Sequence, residues 1–155
     1  MRALGFSLLL AALALSGCAT SSAQSAHPEV RAYSAESDAS AEVDAALERA
    51  NAKGRNVLVV LGANWCHDSR AFAGWMETPR FQAMLAERFE TAYVDVGYPQ
   101  GDKGRNIDIA QRFGVEEVVG TPTVLILSPD GTLLNADTAG TWRNTASRSE
   151  GAIFE

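Results

Sequence analysis

The feature that most constrains the fold is a valine-rich apolar run, Asn56-Val-Leu-Val-Val-Leu-Gly62. Its odd and even positions are both apolar, so a strand formed here must be buried on both faces. Valine also favours strands over helices, because its branched side chain packs well on a pleated surface. We therefore predict a central strand over residues 56–62 with protein packed on each side of it.

The segments around this strand alternate between helical and extended patterns. We predict a helix over 39–53 that is ended by Gly54, and a short helix over 107–113. Between them, a helical pattern runs from the residues after Cys66 to Phe89 and is interrupted at Thr78-Pro79. Further strands are expected over 92–96 and 123–127, and residues 97–106 are predicted to form a loop. Residues 132–135 should pair back after a turn at Ser128-Pro-Asp-Gly131. A last helix within 144–154 is left open. This order predicts one α/β domain over residues 39–155, with a mixed central sheet and helices on both faces.

The first 18 residues have the layout of a secretory signal peptide. Arg2 precedes an apolar stretch that is shorter than the roughly 20 residues needed to cross a bilayer. Leu15-Ser16-Gly17-Cys18 resembles a bacterial lipobox, in which the cysteine is lipidated and becomes the mature N-terminus. The alternative is an ordinary cleaved signal with a chance cysteine. We expect a lipid anchor at Cys18 in the bacterial cell envelope, with the domain facing the periplasm; Ala19 slightly favours the outer membrane.

Residues 19–38 are rich in serine and alanine and contain almost no large apolar side chain. Such a segment cannot bury enough surface to fold by itself. We predict a flexible tether between the anchor and the domain.

The candidate chemistry follows the central strand. That strand leads into Ala63-Asn64-Trp65-Cys66 at the start of a predicted helix, and Val119-Gly120-Thr121-Pro122-Thr123 precedes a later strand. A cysteine at a helix N-terminus faces unpaired backbone N–H groups and the positive end of the helix dipole. Both favour the thiolate, which is the nucleophilic form.

These two motifs, in this order, resemble the active site of the thioredoxin family. The resemblance covers roughly residues 56–135 and, more loosely, the whole domain. It implies a thioredoxin-like fold, thiol–disulfide exchange at Cys66, and a cis Thr121–Pro122 bond against the sulfur. It also implies that Thr121 and Pro122 receive an extended substrate by strand addition, with Trp65 and His67 beside them.

The motif departs from the family pattern in two places. Ser69 replaces the second, resolving cysteine, and Val60 occupies the position of a buried carboxylate that many thioredoxins carry. A two-cysteine cycle is therefore not expected. We predict exchange through Cys66 alone, with a mixed disulfide that an external thiol resolves. The Ser69 hydroxyl, on the same helix face, is expected to stabilise the thiolate.

The neighbours of Cys66 also have ordinary explanations. Asp68 favours a helix start through the dipole alone, and His67 is either an exposed turn residue or an aid to the thiolate. Three adjacent residues cannot all face one ion, so we expect no metal at Cys66-His67-Asp68. We expect no cofactor either.

Charge narrows the set of partners. The net charge is −6 with only 13 Lys and Arg, and no basic run is present, so nucleic acid is not an expected partner. The expected partners are protein or small-molecule thiols and disulfides, an external thiol reductant, and the membrane through the anchor. Two alternatives remain open: a non-enzymatic binding or chaperone-type module, and a structural protein that uses only the fold.

Overall fold

The structure, a computed structural model, describes residues 27–155. The predicted signal peptide, Cys18 and residues 19–26 of the predicted tether lie outside the described residues. The helices of the described part are α1 (Ala39–Lys53), α2 (His67–Met76), α3 (Pro79–Arg88), α4 (Ile107–Arg112) and α5 (Glu150–Phe154). The strands are β1 (Asn56–Gly62), β2 (Phe89–Asp95), β3 (Gly97–Tyr98), β4 (Lys103–Gly104) and β5 (Thr123–Leu127). Short 3₁₀ helices span Ala139–Trp142 and Thr145–Ser147. None of the helices in residues 27–155 is both long and apolar enough to span a membrane.

The main sheet has three strands in the order β2-β1-β5. β1 runs parallel to β2 and antiparallel to β5, which confirms the mixed sheet with a central 56–62 strand. The antiparallel register pairs Leu61 with Thr123. The carboxyl end of β1 therefore lies beside the amino end of β5, and the segments that precede α2 and β5 meet at one edge of the sheet.

Alternation along β1 separates two cores. Val57, Val59 and Leu61 face a layer made by α1 and α4. Leu58 and Val60 face a layer made by α2, α3 and α5. Each face thus buries its own apolar set, and the predicted arrangement of helices on both faces of the sheet is confirmed.

Local signals account for the elements whose ends match the prediction. Asp38 caps α1 by accepting a hydrogen bond from the Ala41 N–H, and Gly54 ends it with the positive φ of 65° that glycine tolerates best. Elsewhere the structure differs. β2 starts earlier than predicted, and the expected 97–106 loop contains the β3–β4 hairpin. The return after β5 makes only an isolated bridge between Leu127 and Leu133.

Part of the predicted tether packs against the domain instead. Residues 27–34, which we call the arm, run along α2, and the Val30 N–H donates to the Arg70 carbonyl at 3.0 Å. Tyr33 is only 3% exposed. Composition misled the prediction here, because it does not register the contacts that the arm makes with α2 and with the end of β1.

Candidate active site

Cys66 lies where β1 turns into α2. It is the N-cap residue of α2, in an extended conformation, and its N–H donates to the Ala63 carbonyl at 3.0 Å. Its own carbonyl accepts the Arg70 N–H, as the first bond of the helix. The residue is 9% exposed. The sulfur is thus held at a helix N-terminus, as the sequence predicts, and the residue is largely buried.

The Thr121–Pro122 peptide bond is cis and faces the cysteine. The Cys66 Sγ atom donates to the Thr121 carbonyl oxygen at 3.3 Å. The Thr123 hydroxyl donates to the Gly120 carbonyl at 2.8 Å, which fixes the turn that enters β5. The two motifs recognised in the sequence therefore meet, because β1 and β5 are neighbours in the sheet.

Trp65 stands at the open side of the site. Its ring stacks on Tyr98, with centroids 4.9 Å apart and planes 6° apart, and its Nε1–H donates to the Gly97 carbonyl at 2.8 Å. Both rings and the side chain of Val119 are about half exposed. The surface around the cysteine is therefore apolar and open to solvent.

Ser69 does not have the role expected of it. Its side chain is fully buried, and its hydroxyl has no hydrogen-bond partner among the described residues, including Cys66. A Cβ placed on Gly62 would lie 2.8 Å from the Ser69 Oγ, so this hydroxyl points towards β1. Helical spacing correctly predicted the side of α2 on which Ser69 lies. The rotamer of its side chain, however, directs the hydroxyl into the core.

The side chains of Asp68 and His67 contact partners other than the Cys66 sulfur. The Asp68 carboxylate accepts the Ala146 N–H at 2.8 Å and thereby holds the 3₁₀ segment of residues 145–147 against α2. The exposed His67 ring contacts the Glu29 carboxylate at 3.0 Å, from its Nδ1 atom. Asp68 therefore has a structural contact beyond the dipole effect, and His67 belongs to the contact between α2 and the arm.

The region behind the cysteine is closed by Tyr33 and Val60. Val60 is fully buried in β1, at the position of the family's carboxylate. The Tyr33 hydroxyl donates to the Ser69 carbonyl at 3.2 Å, and burial raises the pKa of this phenol well above its ordinary value. Tyr33 therefore remains a neutral hydrogen-bond donor.

Several residues around the site were missed from the sequence. Tyr98, Tyr33, His27 and Glu29 sit in segments predicted to be a loop or a tether. The available signals were weak: Tyr33 is a lone large aromatic in a polar stretch, and Tyr98 lies two residues after the predicted 92–96 strand. Only their tertiary partners show what they contact.

Comparison with known proteins places these features in context. A family model described as thioredoxin-like matches residues 38–129. A solved disulphide isomerase from Xylella fastidiosa Temecula1 shares 29% sequence identity and superposes with a TM-score of 0.72, over 81% of this chain and 92% of that chain. A thioredoxin from Thermus thermophilus shares 25% identity over 72% of this chain and 88% of that chain, with a TM-score of 0.43. No curated protein matches the chain.

Proposed function

Since this chain belongs to the thioredoxin-like family, we propose that it is a thiol–disulfide oxidoreductase that acts through Cys66 alone and is held at the membrane by lipid on Cys18. The observation that carries the proposal is the position of the sulfur. It sits at the N-terminus of α2, 3.3 Å from the carbonyl of Thr121 in the cis Thr121–Pro122 segment. A helix N-terminus favours the attacking thiolate.

The proposed reaction has two exchange steps. The Cys66 thiolate attacks one sulfur of a substrate disulfide, the S–S bond breaks, and the other sulfur leaves as a thiolate. A thiolate from an external small thiol then attacks the substrate sulfur of the mixed disulfide. This releases Cys66 as a thiolate and joins the external thiol to that substrate sulfur in a new disulfide. One cysteine therefore suffices, and no cofactor enters.

The similarity to a solved disulphide isomerase supports this chemistry. Rearrangement of disulfides also begins with attack by one thiolate and passes through a mixed disulfide. A second thiol of the substrate can then resolve that intermediate, so no electrons are gained or lost overall. The mixed disulfide can be resolved by an external thiol or by a second thiol of the substrate. A serine at position 69 is compatible with both routes, because neither uses a second cysteine of this chain.

The surface around the cysteine supports a polypeptide substrate. Trp65, Tyr98 and Val119 expose apolar area on the open side of the site. Aromatic side chains at such positions supply contact area with little loss of conformational entropy. We propose that an extended chain lies across these residues and presents its disulfide to Cys66.

One observation favours a second candidate, a non-enzymatic binding module. The Thr121 carbonyl accepts a hydrogen bond from the Cys66 thiol. A carbonyl oxygen stabilises the S–H form and opposes a negative sulfur at the same distance. In this candidate the apolar surface retains extended chains, and the cysteine traps a partner only occasionally.

Trapping of the mixed disulfide separates the two candidates. Cys18→Ala leaves Cys66 as the chain's only thiol, since the sequence contains two cysteines. This variant is mixed with a peptide carrying a glutathione disulfide, and the products are followed by mass spectrometry after acid quenching. We expect a mixed disulfide that forms quickly and disappears on addition of reduced glutathione, with turnover.

Two further variants complete the design. Cys18→Ala/Cys66→Ser should show neither the mixed disulfide nor turnover. Cys18→Ala/Ser69→Cys restores the second cysteine and should increase reduction of insulin disulfides. A Cys66 thiol that reacts no faster than free glutathione, in a protein that still binds the peptide, would reject exchange and support the binding module.

A further inference from the structure

The chain has two histidines, and the fold brings them together. His27 lies at the start of the arm and His67 in the first turn of α2. Their Nε2 atoms are 3.3 Å apart, and the two rings meet edge to face with centroids separated by 4.8 Å. No metal was expected at Cys66, His67 and Asp68, and the contact between His67 and His27 was not predicted, because His27 falls in the predicted tether.

The outer nitrogen of each ring faces an acceptor. His67 Nδ1 lies 3.0 Å from a carboxylate oxygen of Glu29, and His27 Nδ1 lies 3.4 Å from the Pro28 carbonyl oxygen. The other oxygen of that carboxylate accepts a hydrogen bond from the Arg70 Nε–H at 2.8 Å. A carboxylate and a carbonyl can only accept hydrogen bonds, so these contacts favour the tautomer of each ring that carries its proton on Nδ1.

This assignment leaves both Nε2 atoms with lone pairs. A neutral imidazole has one N–H, so a ring that carries it on Nδ1 has a lone pair on Nε2. In that tautomer the two Nε2 atoms, 3.3 Å apart, both offer a lone pair, and an electrophile that binds both of them removes the repulsion between the lone pairs. Two imidazole nitrogens of a tetrahedral zinc site, each about 2.0–2.1 Å from the metal, are roughly 3.3–3.4 Å apart. The observed spacing fits that geometry.

We propose that His27 and His67 bind a divalent transition-metal cation through their Nε2 atoms, beside the cysteine. Glu29 is the positioning residue, because its carboxylate accepts the Nδ1–H of His67. Metal-binding histidines commonly donate their second nitrogen to a carboxylate in this way, which fixes the ring and makes the other nitrogen more basic. Water or a substrate atom completes the coordination, so the site is open.

The surrounding backbone holds both ligands in place. Arg70 binds the second oxygen of Glu29 at 2.8 Å, and the arm is fixed to α2 by the bond from Val30 to the Arg70 carbonyl. A Cβ on Gly74 would collide with the Pro28 backbone, so the arm lies directly on the helix. The histidine pair is therefore formed before the metal arrives, which lowers the entropic cost of binding.

Imidazole ligands narrow the metal class. They suit copper, zinc and nickel, whereas magnesium and calcium prefer oxygen ligands. The order of stability for divalent metals predicts tighter binding of Cu²⁺ than of Zn²⁺. The alternative occupant is a proton shared between the two Nε2 atoms. The measurements described below distinguish a bound metal from this proton.

The test uses protein without thiols, because cysteine also binds these metals. In a Cys18→Ala/Cys66→Ser background, titration calorimetry with Zn²⁺ should show one site, and electron paramagnetic resonance of added Cu²⁺ should show coupling to two nitrogens. His27→Ala or His67→Ala should each weaken Zn²⁺ binding at least tenfold and remove one nitrogen from the Cu²⁺ spectrum. Circular dichroism checks that these variants remain folded.

The matched carboxylate variants test the positioning residue. Glu29→Gln should weaken Zn²⁺ binding about tenfold, while Glu36→Gln, at an exposed position beyond the arm, should leave it unchanged. Zn²⁺ should raise the melting temperature of the background protein and not that of His27→Ala. Absence of Zn²⁺ binding, or binding that survives both histidine substitutions, would overturn the proposal and leave the shared proton as the occupant.

Discussion

The hydroxyl of Tyr33 donates a hydrogen bond to the backbone carbonyl of Ser69, 3.2 Å away. Ser69 belongs to the first turn of α2, the helix that begins after Cys66. The Tyr33 ring lies against Gly62 at the end of β1, where a Cβ would be 2.6 Å from two of its ring carbons. Tyr33 thus joins the arm to the strand and the helix that position the cysteine.

This packing predicts the effect of a single methyl group. Gly62→Ala should destabilise the protein by about 1–3 kcal/mol, the usual cost of overfilling a packed region, because its methyl group occupies the space of the Tyr33 ring. Gly101→Ala is the control, since its methyl would have no neighbour within 4 Å. Urea unfolding measures both, and hydrogen exchange of residues 28–34 should increase in Gly62→Ala only. Equal effects of the two substitutions would contradict the packing of the arm.

The exposed aromatic pair predicts a binding effect on long substrates. Trp65→Ala removes the ring that stacks on Tyr98. We expect the KM for a peptide disulfide to rise about tenfold, equivalent to about 1.4 kcal/mol, with the KM for a small disulfide nearly unchanged. Leu134→Ala serves as the control, because Leu134 is equally exposed but lies beside Ile126, towards the other end of β5. An equal rise in KM for the peptide disulfide and the small disulfide would show that Trp65 stabilises the site and does not bind the peptide.

Glu90 predicts a dependence of stability on pH. Its carboxylate in β2 binds Arg49, Lys53 and Arg55 at 2.8–3.1 Å, and hydrogen bonds from Lys53 and Arg49 lower the pKa of Glu90 to about 2. Because the folded state has the lower pKa, this stabilisation is complete above about pH 4.5 and is lost as the pH falls towards 2.

The corresponding variant is Glu90→Gln. The three cations are partly exposed, so we expect a loss of only about 1 kcal/mol at pH 7, shrinking as the pH is lowered towards 2. Thermal unfolding across this pH range measures it. Glu48→Gln, at an exposed position of α1, should cost little at any pH. A loss at pH 7 that persisted undiminished at pH 2 would rule out the ionised carboxylate as its source.

The lipobox predicts where the protein resides. Cys18→Ala should release it from membranes, and labelled fatty acid should be incorporated into the native chain but not into this variant. Cys66→Ser is the matched cysteine substitution and should remain in the membrane fraction. An unlabelled native protein in the soluble periplasmic fraction would contradict the anchor.

The bounds of α1, β1 and β5 follow from the sequence alone, because the signals for them are local. A capping aspartate, a glycine with positive φ and a run of apolar residues act through neighbours along the chain. The meeting of Cys66 with Thr121–Pro122 was also predictable. The resemblance to thioredoxin supplied this pairing, because it implies a cis-proline segment that lies against the cysteine. That β1 and β5 are neighbours is a finding of the structure.

Only the tertiary structure decided what the arm does and where the Ser69 hydroxyl points. Helical spacing places Ser69 on the face of Cys66, but the space beside Gly62 and Tyr33 selects the orientation of its side chain. Tyr33 itself lies in a segment too polar to fold alone, and its burial depends on a groove that exists only after β1 and α2 have packed. The same docking brings His27 to His67 across 40 positions of sequence. Contacts of this kind have no local signature, because their free energy comes from surfaces that form only when distant segments assemble.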